Sequence, residues 1–122
     1  MSFLSVAFGG ALGAVARYTI SLIPVKTTFP LLTLITNIIG AILIGFIVGI
    51  TDKKGDVSPN TVLFWKTGVC GGFTTFSTFS LEAYKLFEKN SYTLGGVYVA
   101  LSVGCCILGI LLGKKLSMVI AF

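Results

Sequence analysis

The sequence predicts an all-α membrane protein of four transmembrane helices, and three observations carry that prediction. Mean hydropathy is +1.00, far above what a water-soluble domain with a polar surface shows. Apolar residues gather into four runs, 3–23, 31–50, 62–86 and 93–113, each close to the roughly 20 residues a helix needs to cross the hydrocarbon core. The nine Lys or Arg and four Asp or Glu residues fall mostly between or beside those runs rather than along one face of each, a pattern of spanning rather than surface helices. A chain of 122 residues has room for four such spans and no separate soluble domain, so residues 1–122 read as a single transmembrane unit.

The first run is too long for the apolar part of a signal peptide, lacks a basic start and contains Arg17 where a small-residue cleavage site would stand, so it reads as a retained helix. Pro24, Lys26 and Pro30 mark the first connection, Asp52-Lys53-Lys54-Gly55-Asp56 with Pro59 the second, and Glu88-Lys89-Asn90-Ser91 the third. Each is short enough to make neighbouring helices antiparallel. Lys53, Lys54, Lys114, Lys115 and Lys66 lie toward one side of the membrane, and Lys26, Lys85, Lys89 and Arg17 toward the other. Orientation follows the Lys and Arg bias of short loops, so this near tie lets the chain insert either way. Four helices leave little interior for a pathway, which makes a dimer the economical assembly.

Glycines recur four residues apart inside the runs, at Gly9 and Gly13, Gly45 and Gly49, and Gly109 and Gly113. Small residues serve close helix contacts rather than lipid-facing surface. The net charge of +5 has no exposed domain on which to form a nucleic-acid patch. With no His and no Cys-x-x-Cys, the usual ligands of a zinc site are missing. Cys70, Cys105 and Cys106 all fall in apolar runs and read as small packing residues rather than a disulfide framework.

The third run carries the chemistry. Gly71-Gly72-Phe73-Thr74-Thr75 is a poor helical sequence, and it predicts a break near Gly71 to Thr75. A break inside a membrane is tolerated where the freed carbonyls find partners or line a cavity. Such carbonyls can hold a hard monovalent cation; spacing alone favours a mere kink between packed helices. Phe76 and Phe79 share a helical face just beyond the break, where they either pack against core or lipid or turn their positive ring edges toward an anion.

Asn37, four residues after Thr33 in the second run, cannot face lipid cheaply, so it either bonds across helices or serves as a ligand. Tyr98 and Ser102, four apart in the fourth run, could form a second polar wall, unless Ser102 bonds its own backbone. Hydroxyl donors beside neutral ring edges suit a small, strongly hydrated anion, because they replace its water without a fixed charge that would trap it. Arg17, followed by Tyr18, reads as a pore-mouth residue that gathers anions or as an anchor to the headgroups. Glu82 should be paired or wetted, and Lys66 reads as an interfacial anchor.

Taken together, Gly9-Gly10-Ala11-Leu12-Gly13-Ala14-Val15-Ala16-Arg17-Tyr18, Asn37, and Gly71-Gly72-Phe73-Thr74-Thr75-Phe76-Ser77-Thr78-Phe79-Ser80 resemble the signature segments of the Fluc family of fluoride ion channels, over the whole chain. The resemblance implies a dual-topology antiparallel homodimer in a bacterial plasma membrane, with two fluoride pathways and a structural sodium ion at the broken third helices. It implies sodium held by the backbone carbonyls of Gly71 and Thr74, and not transported. It places Asn37, Phe76, Phe79, Tyr98 and Ser102 along the fluoride pathway, with Ser77, Thr78 and Glu82 as a polar track on the third helix. The activity implied is passive fluoride efflux, with no enzymatic step. Cys105 and Cys106 depart from a hydroxyl wall, because a thiol is a weaker donor. A small four-helix multidrug exporter is the competing reading and needs a carboxylate in the first helix, which this run lacks; a purely structural membrane subunit is the other.

Overall fold

In a computed structural model, which describes residues 1–120, all the regular secondary structure is helical, and no strand occurs among the described residues. Helix α1 spans Ser2–Ser21, α2 Leu31–Lys54, α3 residues 59–73, α4 Ser77–Glu88 and α5 Tyr92–Val119. Within α3 the backbone winds as an α-helical turn over Pro59–Val62, as a π-helix over Leu63–Cys70, and as a closing turn over Gly71–Phe73.

Local chemistry sets the ends. Gly55 takes the left-handed conformation at φ 76° and donates its N–H to the Thr51 carbonyl at 2.9 Å, a C-terminal cap open to a residue without a Cβ. Lys53 and Lys54 occupy the last turn of α2, where positive charge offsets the helix dipole. Pro59 starts α3 at a position where its missing N–H costs nothing. Asn90, the one non-glycine residue with positive φ among the described residues, ends α4 and lets the Ser91 N–H reach the Leu86 carbonyl at 2.8 Å.

Among the described residues three helices, α1, α2 and α5, are long and apolar enough to cross a membrane. Large apolar side chains cover the outside, including Phe3, Phe8, Leu12 and Val15 on α1 and Ile107, Leu108 and Leu111 on α5. In water that surface would drive association; in lipid it is the ordinary exterior. The third apolar run does not form one long helix, because α3 and α4 are separated by an extended segment. Helices α2 and α5 also run further than the apolar stretches that predict them, to Lys54 and Val119.

The bundle is held by backbone approach at the glycines. Along the α2–α5 seam, a Cβ on Gly45 would collide with the Ile110 carbonyl, and one on Gly113 with the Ile42 carbonyl and, at 2.7 Å, with the Phe46 nitrogen. Gly49 faces Ser117 on the same seam. Where α1 crosses α3, a Cβ on Gly9 would meet the Gly68 Cα at 2.9 Å and one on Gly13 the Phe73 nitrogen at 2.7 Å. Lipid tails supply no hydrophobic drive for helix association, so close van der Waals contact carries it, and only residues without side chains allow such contact. A smaller apolar core of Leu34, Phe79, Ala83, Leu86 and Tyr98, flanked by Phe29, Ile38 and Val99, joins α4 to α2 and α5.

The break falls inside the predicted Gly71 to Thr75 stretch, at its C-terminal end. Gly71 and Gly72 stay helical, and the chain becomes extended only at Thr74, with φ −87° and ψ 161°. Gly72 keeps its helical turn because α1 lies against it: a Cβ there would touch the Gly10 carbonyl carbon at 3.1 Å. This glycine serves proximity rather than flexibility. Gly113→Leu and Gly13→Leu should each destabilise the purified protein in detergent by about 2 kcal/mol or more, while Gly96→Ala, which meets nothing within 4 Å, should leave its thermal midpoint unchanged or slightly raised, since alanine is the better helix former. Thermal unfolding followed by size-exclusion recovery measures both.

Candidate functional site

An α-helix running unbroken through residues 70–80 would satisfy its own backbone, so the extended Thr74 obliges the surroundings to do so. Three side chains meet that demand. The Asn37 Nδ2 donates to the Thr75 carbonyl at 3.0 Å, and the Thr75 N–H donates to Asn37 Oδ1 at 2.9 Å. The Arg17 Nε donates at 3.1 Å to the Gly72 carbonyl, the acceptor that Phe76 would have used in a continuous helix. The Thr75 hydroxyl accepts the Thr78 N–H at 3.1 Å and so ties off the first turn of α4. The Thr74 hydroxyl donates back to the Cys70 carbonyl at 2.8 Å.

Two cavities flank this segment. The larger is a groove of about 420 Å³ between α2, α3, the start of α4 and α5. It brings together Asn37, Gly71, Thr74, Phe76, Phe79 and Ser102, six of the residues the sequence singles out. Phe76 and Phe79 lie with ring centres 5.6 Å apart and planes tilted by 49°. Phe79 is buried, whereas Phe76 is 79% exposed on the open side of the groove. Asn37 spends one amide N–H on Thr75 and has a second to offer. Ser102 is 6% exposed, and its buried hydroxyl has no hydrogen-bond partner among the described residues. The hydroxyl does not bond its own helix, and Ser102 is one of the residues along the groove.

The smaller cavity, about 70 Å³, lies on the other flank and is lined by Arg17, Ser21, Leu32, Thr33, Thr36, Thr75 and Thr78. It is large enough for about two waters. Thr33 and Thr36 were not among the predicted site residues; the polar stripe of Thr33, Thr36 and Asn37 at helical spacing is the signal that could have found them. Arg17 reaches inward to the broken helix rather than outward to headgroups.

The remaining predicted residues stand apart from the groove. Tyr98 is fully buried behind Phe79, with ring centres 5.1 Å apart and Phe29 edge-on at 5.5 Å. Its hydroxyl donates to Glu82 Oε1 at 3.0 Å, so Glu82 is paired, as an acidic residue inside an apolar segment must be. Tyr98 therefore positions a groove ring rather than lining the groove. Thr78 faces the smaller cavity, and Ser77 is exposed and lines neither cavity. Of the cysteines, Cys70 and Cys106 line the groove and Cys105 does not. Among the described residues no three His, Cys, Asp or Glu side chains come together as a metal centre, so a cation held here would depend on backbone oxygens.

Comparison with known proteins places this architecture. The family model described as "CrcB-like protein, Camphor Resistance (CrcB)" matches residues 4–114. A protein of Clostridium perfringens named fluoride-specific ion channel FluC is 43% identical over 120 residues, covering 96% of this chain and 94% of that relative. Relatives with the same name from Flavobacterium psychrophilum and Ruminiclostridium cellulolyticum are 46% and 41% identical; they cover 80% and 99% of this chain, and 82% and 95% of their own lengths. With the family pattern running across α1 to α5, and three helices long and apolar enough to cross a membrane, the chain belongs to the CrcB-like family and is a multi-pass protein of the bacterial membrane.

Proposed function

We propose that this protein conducts fluoride passively across the membrane, along the groove beside the broken third segment. The observation that carries the reading is the Ser102 hydroxyl, buried without a partner in a groove that no acidic side chain lines. A buried hydroxyl left unpaired is costly unless something completes it. Together with the free N–H of Asn37 and the edges of Phe76 and Phe79, it forms a set of donors without negative charge. Such donors replace the tightly held water of fluoride and leave the ion free to move on. The names of the relatives point the same way.

Hydrogen fluoride crosses membranes as a neutral acid and ionises inside. A fluoride leak driven by the membrane potential then lowers the internal concentration. The chain forms no covalent intermediate in this activity and is not an enzyme. An exporter that exchanges protons for organic cations would need a carboxylate in α1, and Ser2–Ser21 contains none.

The groove is open along one side, and its exposed Phe76 calls for a cover. A second copy of the chain supplies it in this reading, and the near balance of Lys and Arg across the two sides supports an antiparallel, dual-topology homodimer. The broken segment, α3 with α4, makes the fourth crossing. A structural sodium ion belongs at the break between the copies. Gly71 and Thr74 both line the groove, and the Thr75 N–H that a helix would send to the Gly71 carbonyl goes to Asn37 instead. These carbonyls would hold a hard cation without a carboxylate, and the ion would supply fixed positive charge at the centre of the assembly.

Ser102→Ala should cut fluoride release from proteoliposomes about tenfold, roughly the worth of one hydrogen bond to an ion. The same variant should leave thermal stability unchanged or raised, because it removes an unsatisfied hydroxyl. Asn37→Ala should abolish release and also destabilise the protein by about 2–3 kcal/mol, since it strands both the Thr75 N–H and its carbonyl. A fluoride electrode following release, with chloride followed in parallel, measures both. Equal release of the two ions by the unmodified protein would remove the proposal.

A further inference from the structure

Lys66 reads from the sequence as an interfacial anchor, yet the structure sets it on the groove, together with Cys70, Gly71 and Thr74 of the same segment. The winding of α3 explains the placement. Leu63–Cys70 is a π-helix, in which each turn closes on the fifth residue rather than the fourth, so Lys66 stacks in line with both Cys70 and Gly71. In an α-helix, Gly71 would turn well away from the Lys66 face. Along the axis Lys66 lies eight residues before Thr74, no more than about 12 Å from the break.

Among the described residues, Lys66 is the only charged side chain lining the groove, and it is positive; the rest of the lining is apolar apart from Asn37, Thr74, Thr75 and Ser102. A cation turned toward lipid from inside an apolar segment is expensive, while a wetted groove relieves that cost. A single charge at the rim of a low-dielectric cleft concentrates counter-ions there, because the field lines are confined by the walls.

We propose that Lys66 is the electrostatic collector of this channel. It raises the local concentration of small anions at the groove entrance and hands them to the neutral donors around Asn37 and Ser102, without binding the ion itself. The inference rests on fluoride moving through this groove. It assigns Lys66 to the rate of ion entry rather than to selectivity, which stays with the uncharged donors deeper in.

The test is the dependence of fluoride release on ionic strength, in proteoliposomes containing unmodified protein, Lys66→Gln, Lys66→Arg or Lys66→Glu, at about 20 mM and about 500 mM of an impermeant salt, where screening shortens from roughly 20 Å to a few Å. Unmodified protein and Lys66→Arg should lose about threefold to tenfold of their release rate at high salt. Lys66→Gln should start that much lower, change little with salt, and meet the unmodified protein at high salt. Lys66→Glu should be slower still at low salt and gain rate as salt rises. The preference for fluoride over chloride should be the same in all four. A mere anchor would show none of these crossings. A release rate of unmodified protein that ignores salt, or Lys66→Gln falling in parallel with it, would overturn the role of Lys66 while leaving fluoride conduction standing. Absence of fluoride release from unmodified protein at either salt would overturn both.

Discussion

A membrane offers no water to an unpaired backbone group, and the structure is organised around one place where the chain creates such groups on purpose. At Thr74 the third apolar segment leaves the helix, and the backbone of Gly72 and Thr75 is completed by Arg17 from α1 and Asn37 from α2. Because those partners come from different helices, the break fixes the bundle as much as the bundle fixes the break. The glycine seams follow from the same constraint. A side chain as short as that of asparagine reaches the broken backbone only if α2 lies close, and close approach in lipid requires small residues.

The chemistry of the groove is equally a consequence. An asparagine that brackets one residue, Thr75, with its carbonyl oxygen and one N–H still has a second N–H to offer, so its structural role leaves room for the proposed ion-facing one. The two explanations that compete for Asn37 in the sequence are therefore compatible: the structure shows the bond across helices, and the proposed function uses the remaining N–H. The groups that line the groove carry no negative charge, and Glu82 lies outside that lining, bonded to Tyr98. Donors of this kind give up an anion as readily as they take it, which a channel requires and a tight binding site forbids.

Much of this was legible before any coordinates. Apolar runs, paired glycines and the Gly71 to Ser80 motif are local patterns, and each maps onto a helix, a seam or the break. What the sequence hides is whatever depends on a neighbour. The glycines and threonines from Gly71 to Thr75 announce the break, but only the packing shows that Gly72 serves close approach to α1 while the chain leaves the helix at Thr74. Arg17 reads as a residue that snorkels outward, because nothing in the sequence reveals a bare carbonyl one helix away. Tyr98 and Ser102 share a helical face by spacing, yet the ring of Phe79 stands in front of the tyrosine and leaves the serine facing the groove. Lys66 depends on a π-helical turn that the sequence does not announce.

The central claim is that uncharged donors beside a side-chain-completed helix break select fluoride from other small anions. Reversal potential in a planar bilayer, with fluoride and chloride set in opposing tenfold gradients, addresses it most directly. The account predicts a reversal near the fluoride equilibrium value, about 59 mV from zero and of the sign that fluoride dictates. A reversal near zero, or one displaced toward the chloride value, would contradict it.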